Sequence, residues 1–127
     1  MNVSCLEAFL NGLIPPDEFA ERICDEIDAY RRGHAVKGTS IPVHLYGDPS
    51  TLVLTRKGVK RLCQAFVSGA LSKWHLCYVC DALSMSEASF VDESVRNAVE
   101  LLCPDASADH PCDAYASVVQ SVMAEME

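Results

Sequence analysis

The stretch "PPDEFAERICDEIDAY", Pro15–Tyr30, decides how the chain is read. Phe19, Ala20, Ile23, Ile27 and Tyr30 recur at helical intervals, so one amphipathic helix is expected across it. Pro15 and Pro16 suit its first turn, where a missing N–H removes no hydrogen bond. Stepping about 100° per residue, Glu18, Glu21, Asp25 and Asp28 fall on the side opposite the apolar stripe. Like charges at this spacing repel by a few tenths of a kcal/mol per pair. The face is therefore either a solvated surface or an arrangement with a use.

Helical periodicity continues on both sides. Upstream, Ser4 and Glu7 fit a capping box, with Leu6, Phe9, Leu10 and Leu13 as its stripe and Gly12 as a stop. Downstream, Thr55 caps a helix carrying Val59, Leu62, Cys63, Phe66 and Val67, and Gly69 ends it. Ser72 caps the next, with Leu76, Val79, Cys80 and Leu83 inward. Another is expected from about Phe90, with Val91, Val95, Ala98, Val99 and Leu102, closed by Pro104. "DASADHP" reads as a polar linker before a last helix with Tyr115, Val118, Val119, Val122, Met123 and Met126. The only β signal is "IPVHLYGDPSTLVL", a short hairpin near residues 41–54. The expectation is a mainly α-helical, all-α single domain over residues 1–127, a bundle of about six helices. "AFLNGLIPPDEF" and "AFVSGALSKWHL" repeat the same helix, glycine and helix punctuation 57 residues apart.

Half of the 127 residues are apolar and the net charge is −8. Such charge argues against nucleic-acid binding, which draws its affinity from neutralised phosphates. It favours a basic protein partner, whose approach it would steer. The N-terminus has no positive segment ahead of its apolar residues, and no apolar run reaches membrane-spanning length. Seven cysteines, an odd number without a disulfide-scaffold pattern, suit a reducing cytoplasm and buried thiols.

Chemistry-bearing motifs are few. Cys77 and Cys80 form a CxxC, but inside a helix and without a preceding strand, so packing outweighs a redox or zinc role. The histidines at 34, 44, 75 and 110 flank no nucleophile, and no nucleotide-binding glycine motif occurs. No catalytic activity, cofactor or metal is expected, and no small-molecule ligand. Arg56, Lys57, Lys60 and Arg61 with the turn at Gly69 mimic a helix-turn-helix. The would-be reading helix, however, offers few side chains that pair with base edges. On that helix Trp74, Tyr78 and Asp81 share a face, the composition of a binding hot spot if exposed, or of a helix buried on both sides if not.

"LEAFLNGLIPPDEFAERICDEIDAYRRG" resembles the opening of the immunity proteins that protect bacteria from colicin D-type and contact-dependent growth inhibition toxins. "LSKWHLCYVCDALSM" and "SFVDESVRNAVELL" resemble later helices of small bacterial immunity proteins. The resemblance implies a cytoplasmic, non-catalytic antitoxin. It would bind the C-terminal nuclease domain of its toxin, often a tRNA-directed ribonuclease, and cover a basic active-site surface. Glu18, Glu21, Asp25 and Asp28 lie in the matching helix and are its first candidate contacts, with Trp74, Tyr78 and Asp81 as further anchors. The alternative is a helical adaptor or regulatory protein without a toxin.

Overall fold

The computed structural model describes residues 1–34, 45, 47, 52–84, 86, 88–102 and 112–126. The mainly α expectation holds. Seven helices and one two-stranded parallel sheet occur among the described residues: α1 (Val3–Leu10), α2 (Pro16–Arg22), α3 (Cys24–His34), β1 (Val53–Leu54), α4 (Arg56–Ser68), α5 (Lys73–Ser84), β2 (Ser89–Phe90), α6 (Glu93–Leu102) and α7 (Cys112–Glu125). No described helix is long and apolar enough to cross a membrane.

Seven helices replace the expected six because the decisive stretch breaks at Ile23. Its backbone leaves the helical region (φ −112°, ψ 9°), and α3 starts afresh with Ile27 N–H on Ile23 O, 2.9 Å. Ile23 itself remains buried, at 2% exposure. Neither glycine nor proline marks the break, and the apolar spacing runs through it unchanged.

The repeated punctuation is real in three dimensions. α1 ends in a Schellman turn: Gly12 is left-handed (φ +80°), its N–H reaches Phe9 O at 3.0 Å, and Leu13 N–H reaches Ala8 O at 2.8 Å. α4 ends similarly at Gly69 (φ +89°), with N–H to Phe66 O at 3.1 Å and Leu71 N–H to Ala65 O at 3.1 Å. The helix starts that follow, Pro16 and Lys73, keep the same separation as the glycines. Leu13 and Val67, expected inward, lie at these turns and are exposed instead.

α4 is the hub, packing on α7, α1, α6 and α5, while α5 also packs on α6 and α3. Phe9 and Phe19 stack at 4.4 Å between α1 and α2, and Phe66 meets Tyr115 edge-on at 5.3 Å between α4 and α7. No polar or charged residue is fully buried among the described residues.

Other boundaries differ from expectation for local reasons. Asn2, not Ser4, caps α1, its Oδ1 accepting from Ser4 N–H at 2.8 Å. The helix expected from Phe90 starts at Glu93, because Ser89 and Phe90 pair with Val53 and Leu54. Asp92 Oδ1 then accepts from Val95 N–H at 2.9 Å as the cap, and Val91 is 54% exposed. Most of the hairpin considered for residues 41–54, and the linker before α7, lie outside the described residues. The one described strand of that segment, β1, pairs in parallel with β2.

Candidate interaction surface

The break at Ile23 changes the physical reading of the acidic face. Glu18 and Glu21 belong to α2, Asp25 and Asp28 to α3, so the carboxylates decorate two short rods rather than one. Asp17 and Glu18 occupy the first turn of α2, and Asp25 and Glu26 the first turn of α3. A helix N-terminus carries partial positive charge and favours nearby carboxylates by about 0.3–1 kcal/mol each. Two N-termini in succession thus offset the like-charge repulsion and account for part of the acid density.

The individual partners separate structural acids from available ones. Glu18 is half-buried and paired with Arg22 at 3.0 Å, one turn along α2. Glu26 takes the Met1 amine, tying the start of α1 to α3. Glu21, Asp25 and Asp28 are exposed. Asp25 Oδ1 lies 3.8 Å from the thiol of exposed Cys24, and Asp28 presents its charge to His75 on α5. The expected acidic surface is present, but it is stepped at Ile23, and Glu18 is partly committed within the protein.

Trp74, Tyr78 and Asp81 do come together, and they do so against α3. Tyr30 meets Tyr78 edge-on at 5.2 Å and Trp74 at 6.3 Å, and its hydroxyl donates to Asp81 Oδ2 at 2.5 Å. Tyr78 is only 4% exposed. The exposed Trp–Tyr face considered for α5 is therefore corrected: Tyr78 is a core residue and Trp74 is half-buried beside it. α5 buries Leu76, Cys77, Tyr78, Val79, Cys80, Ala82 and Leu83, which makes it a central helix packed on both sides. That burial also denies a helix-turn-helix its reading face.

The CxxC lies in this core. Burial pushes the Cys77 thiol up to about 11 and the Cys63 thiol up to about 12, the opposite of a reactive thiolate. No three His, Cys, Asp or Glu side chains are placed to hold a metal among the described residues. The side chains of His34, His44, Cys103, His110 and Cys112 lie outside that set.

Two features escaped the sequence reading. His75 Nδ1 accepts from the Ser72 N–H at 3.0 Å and lies 2.8 Å from Ser72 Oγ, so the imidazole fills the place of the glutamate in a capping box. The signal was Ser72 followed three residues later by His75. Arg61 reaches across from α4 to the α1–α2 turn, with Nε on Phe9 O at 2.5 Å, a terminal nitrogen on Ile14 O at 2.7 Å and the guanidinium 4.9 Å over the Phe9 ring. It adds a charged donor to Phe9 O, which already accepts from Gly12 N–H, and ties Ile14 O of the turn to α4. No local pattern announces such a contact.

Compared with known protein families, curated proteins and solved structures, the chain matches none.

Proposed function

We propose that the protein is a non-catalytic immunity protein that neutralises a basic nuclease toxin domain, with a tRNA-directed ribonuclease as the toxin class. The observation carrying this reading is the exposed carboxylate set Glu21, Asp25 and Asp28 on α2 and α3. These two helices are held by buried Phe19, Ile23, Ile27 and Tyr30 and by the Tyr30–Asp81 hydrogen bond. A preorganised row of negative charge imitates a nucleic-acid backbone and would occupy the cleft that binds it. The net charge of −8 would steer the encounter, and close pairing with Lys or Arg on the toxin would fix it. The resemblance of Leu6–Gly33 to immunity proteins supports the same segment as the contact.

Asp28 and the edge of Trp74 sit on α3 and α5, which pack together, so the contact face extends from the acids onto that seam. The cytoplasm is the compartment this reading assigns, since the toxin acts there on RNA. The test is binding of the toxin domain to wild type and to Glu21→Lys/Asp25→Lys, with helicity followed by circular dichroism. The expected result is loss of affinity with helicity intact, and unchanged affinity overturns the acidic face as the contact.

A further inference from the structure

Leu13 is 76% exposed, while Val53, Val67, Val91 and Leu101, the other large apolar side chains at the surface among the described residues, lie at 51–54%. It is the second residue past the cap of α1, a position of the Schellman turn whose apolar side chain ordinarily folds back on the helix. The residue it would fold onto is Ala8, whose carbonyl accepts the Leu13 N–H at 2.8 Å but whose methyl offers little apolar area. The leucine stays in solvent. Its backbone, by contrast, is fixed on both sides. Gly12 N–H is held by Phe9 O at 3.0 Å, and Arg61 grips Phe9 O and Ile14 O from α4. Ile14 packs on the core, and Pro15 and Pro16 then lock φ where the chain enters α2.

We propose that Leu13 is the apolar anchor of the partner contact, seated in an apolar pocket of the same basic domain that meets Glu21 and Asp25. The inference rests on the antitoxin reading and supplies the uncharged part of that contact. Exposed ion pairs contribute little each, so a lasting complex needs apolar burial at its centre. Tyr78, expected for that role, is enclosed between α3 and α5. Leu13 fills it at low entropic cost, because its backbone is already fixed and only side-chain rotamers remain to freeze. Burying a leucine side chain is worth about tenfold or more in an equilibrium constant. The turn also leads straight into the acids: Asp17 is exposed in the first turn of α2, and Glu21 follows one turn on. With about 1.5 Å per helical residue and at most about 3.5 Å per extended one, Leu13 and Glu21 lie within about 18 Å at Cα. A standard interface of about 800 Å² per partner is about 30 Å across, so one partner reaches both. Charge selects the occupant. A basic surface suits an anchor flanked by Asp17 and Glu21, whereas a second copy of this chain would bring like charges together.

The test takes the basic nuclease-domain protein captured by the wild-type chain from its native organism and measures its association and dissociation rates with the whole chain. Wild type, Leu13→Ala, Leu101→Ala and Glu21→Lys/Asp25→Lys are compared. The expected result for Leu13→Ala is affinity weakened about tenfold or more, a loss of about 1.4 kcal/mol or more, chiefly through faster dissociation. Leu101→Ala, the same truncation on α6, should leave the affinity unchanged. Both alanine variants alter exposed side chains and should keep the wild-type unfolding midpoint, which is checked without partner. The charge reversal should act largely on association. Affinity unchanged by Leu13→Ala, or weakened equally by Leu101→Ala, overturns the anchor, and the acidic face still stands if the charge reversal weakens binding. Loss through Leu13→Ala with none through the charge reversal keeps the anchor and overturns the acidic face. Capture of no such protein by wild type overturns the antitoxin reading and the anchor with it.

Discussion

Single side chains make the sharpest demands on this account. His75 is held below its ordinary value of 6.5, chiefly by burial, with Asp28 opposing. Its folded state therefore binds a proton less readily than its unfolded state. Stability from this group is full above pH 6.5 and is lost as pH falls through 6.5 toward the lower folded value. Urea midpoints at pH 7.5 and 5.5 should thus differ more for wild type than for His75→Gln, about 7.5 and 5.5 bracketing the histidine range. Equal differences would mean that the Ser72–His75 cap does not titrate as the geometry requires. Arg61 makes a second demand. Arg61→Ala leaves Phe9 O and Ile14 O without their charged donor and strips the Phe9 ring, a cost of about 2–3 kcal/mol in chemical unfolding. Arg61→Lys should recover only part, because an ammonium cannot serve two carbonyls from a planar fork.

Helix ends explain more of the architecture than helix middles do. Gly12 and Gly69 both sit at positive φ with open space where a Cβ would stand. Replacing either with Ala should therefore cost about 1 kcal/mol from backbone strain alone. The two losses should add, since the turns lie in different helical hairpins. A Gly69→Ala loss far above that value would reveal packing that the structure does not contain. At this scale the sequence was partly legible. The stripes of α4, α6 and α7, the Thr55 cap and both glycine turns followed from periodicity and capping chemistry. The break at Ile23 did not, because Phe19, Ile23, Ile27 and Tyr30 keep helical spacing straight through it. The β1–β2 clasp was equally hidden, since two-residue strands have no period to detect. Tyr78 misled for a chemical reason. A tyrosine opposite an apolar stripe reads as an exposed anchor until a second helix, here α3, is packed over it.

At the scale of the molecule, charge of opposite sign gathers on different described helices. Carboxylates dominate α2 and α3, while α4 carries four cations and no acid. Composition shows the totals, and only the fold shows that the acids stand on a braced pair of short helices while Lys57, Lys60 and Arg61 line a groove against the end of α1. Of the candidate contacts named from sequence, Glu21, Asp25 and Asp28 are placed on the surface, Glu18 is shared with Arg22, and Tyr78 is inside. Long-range contacts such as Tyr30 with Asp81 decided these outcomes, and they leave no trace in local pattern. If the acids bind by close pairing, the complex should outlast salt that abolishes a loose charged encounter, because paired and desolvated charges are screened far less.

The most direct measurement is capture from the native organism at low and high salt, using wild-type protein and Glu21→Lys/Asp25→Lys side by side, with bound proteins identified by mass spectrometry. The account predicts that wild type retains a secreted protein with a basic C-terminal nuclease domain at both salt concentrations, and that the charge-reversed protein loses it. Retention of that protein by both baits, or recovery of only metabolic and regulatory proteins by wild type, would contradict it.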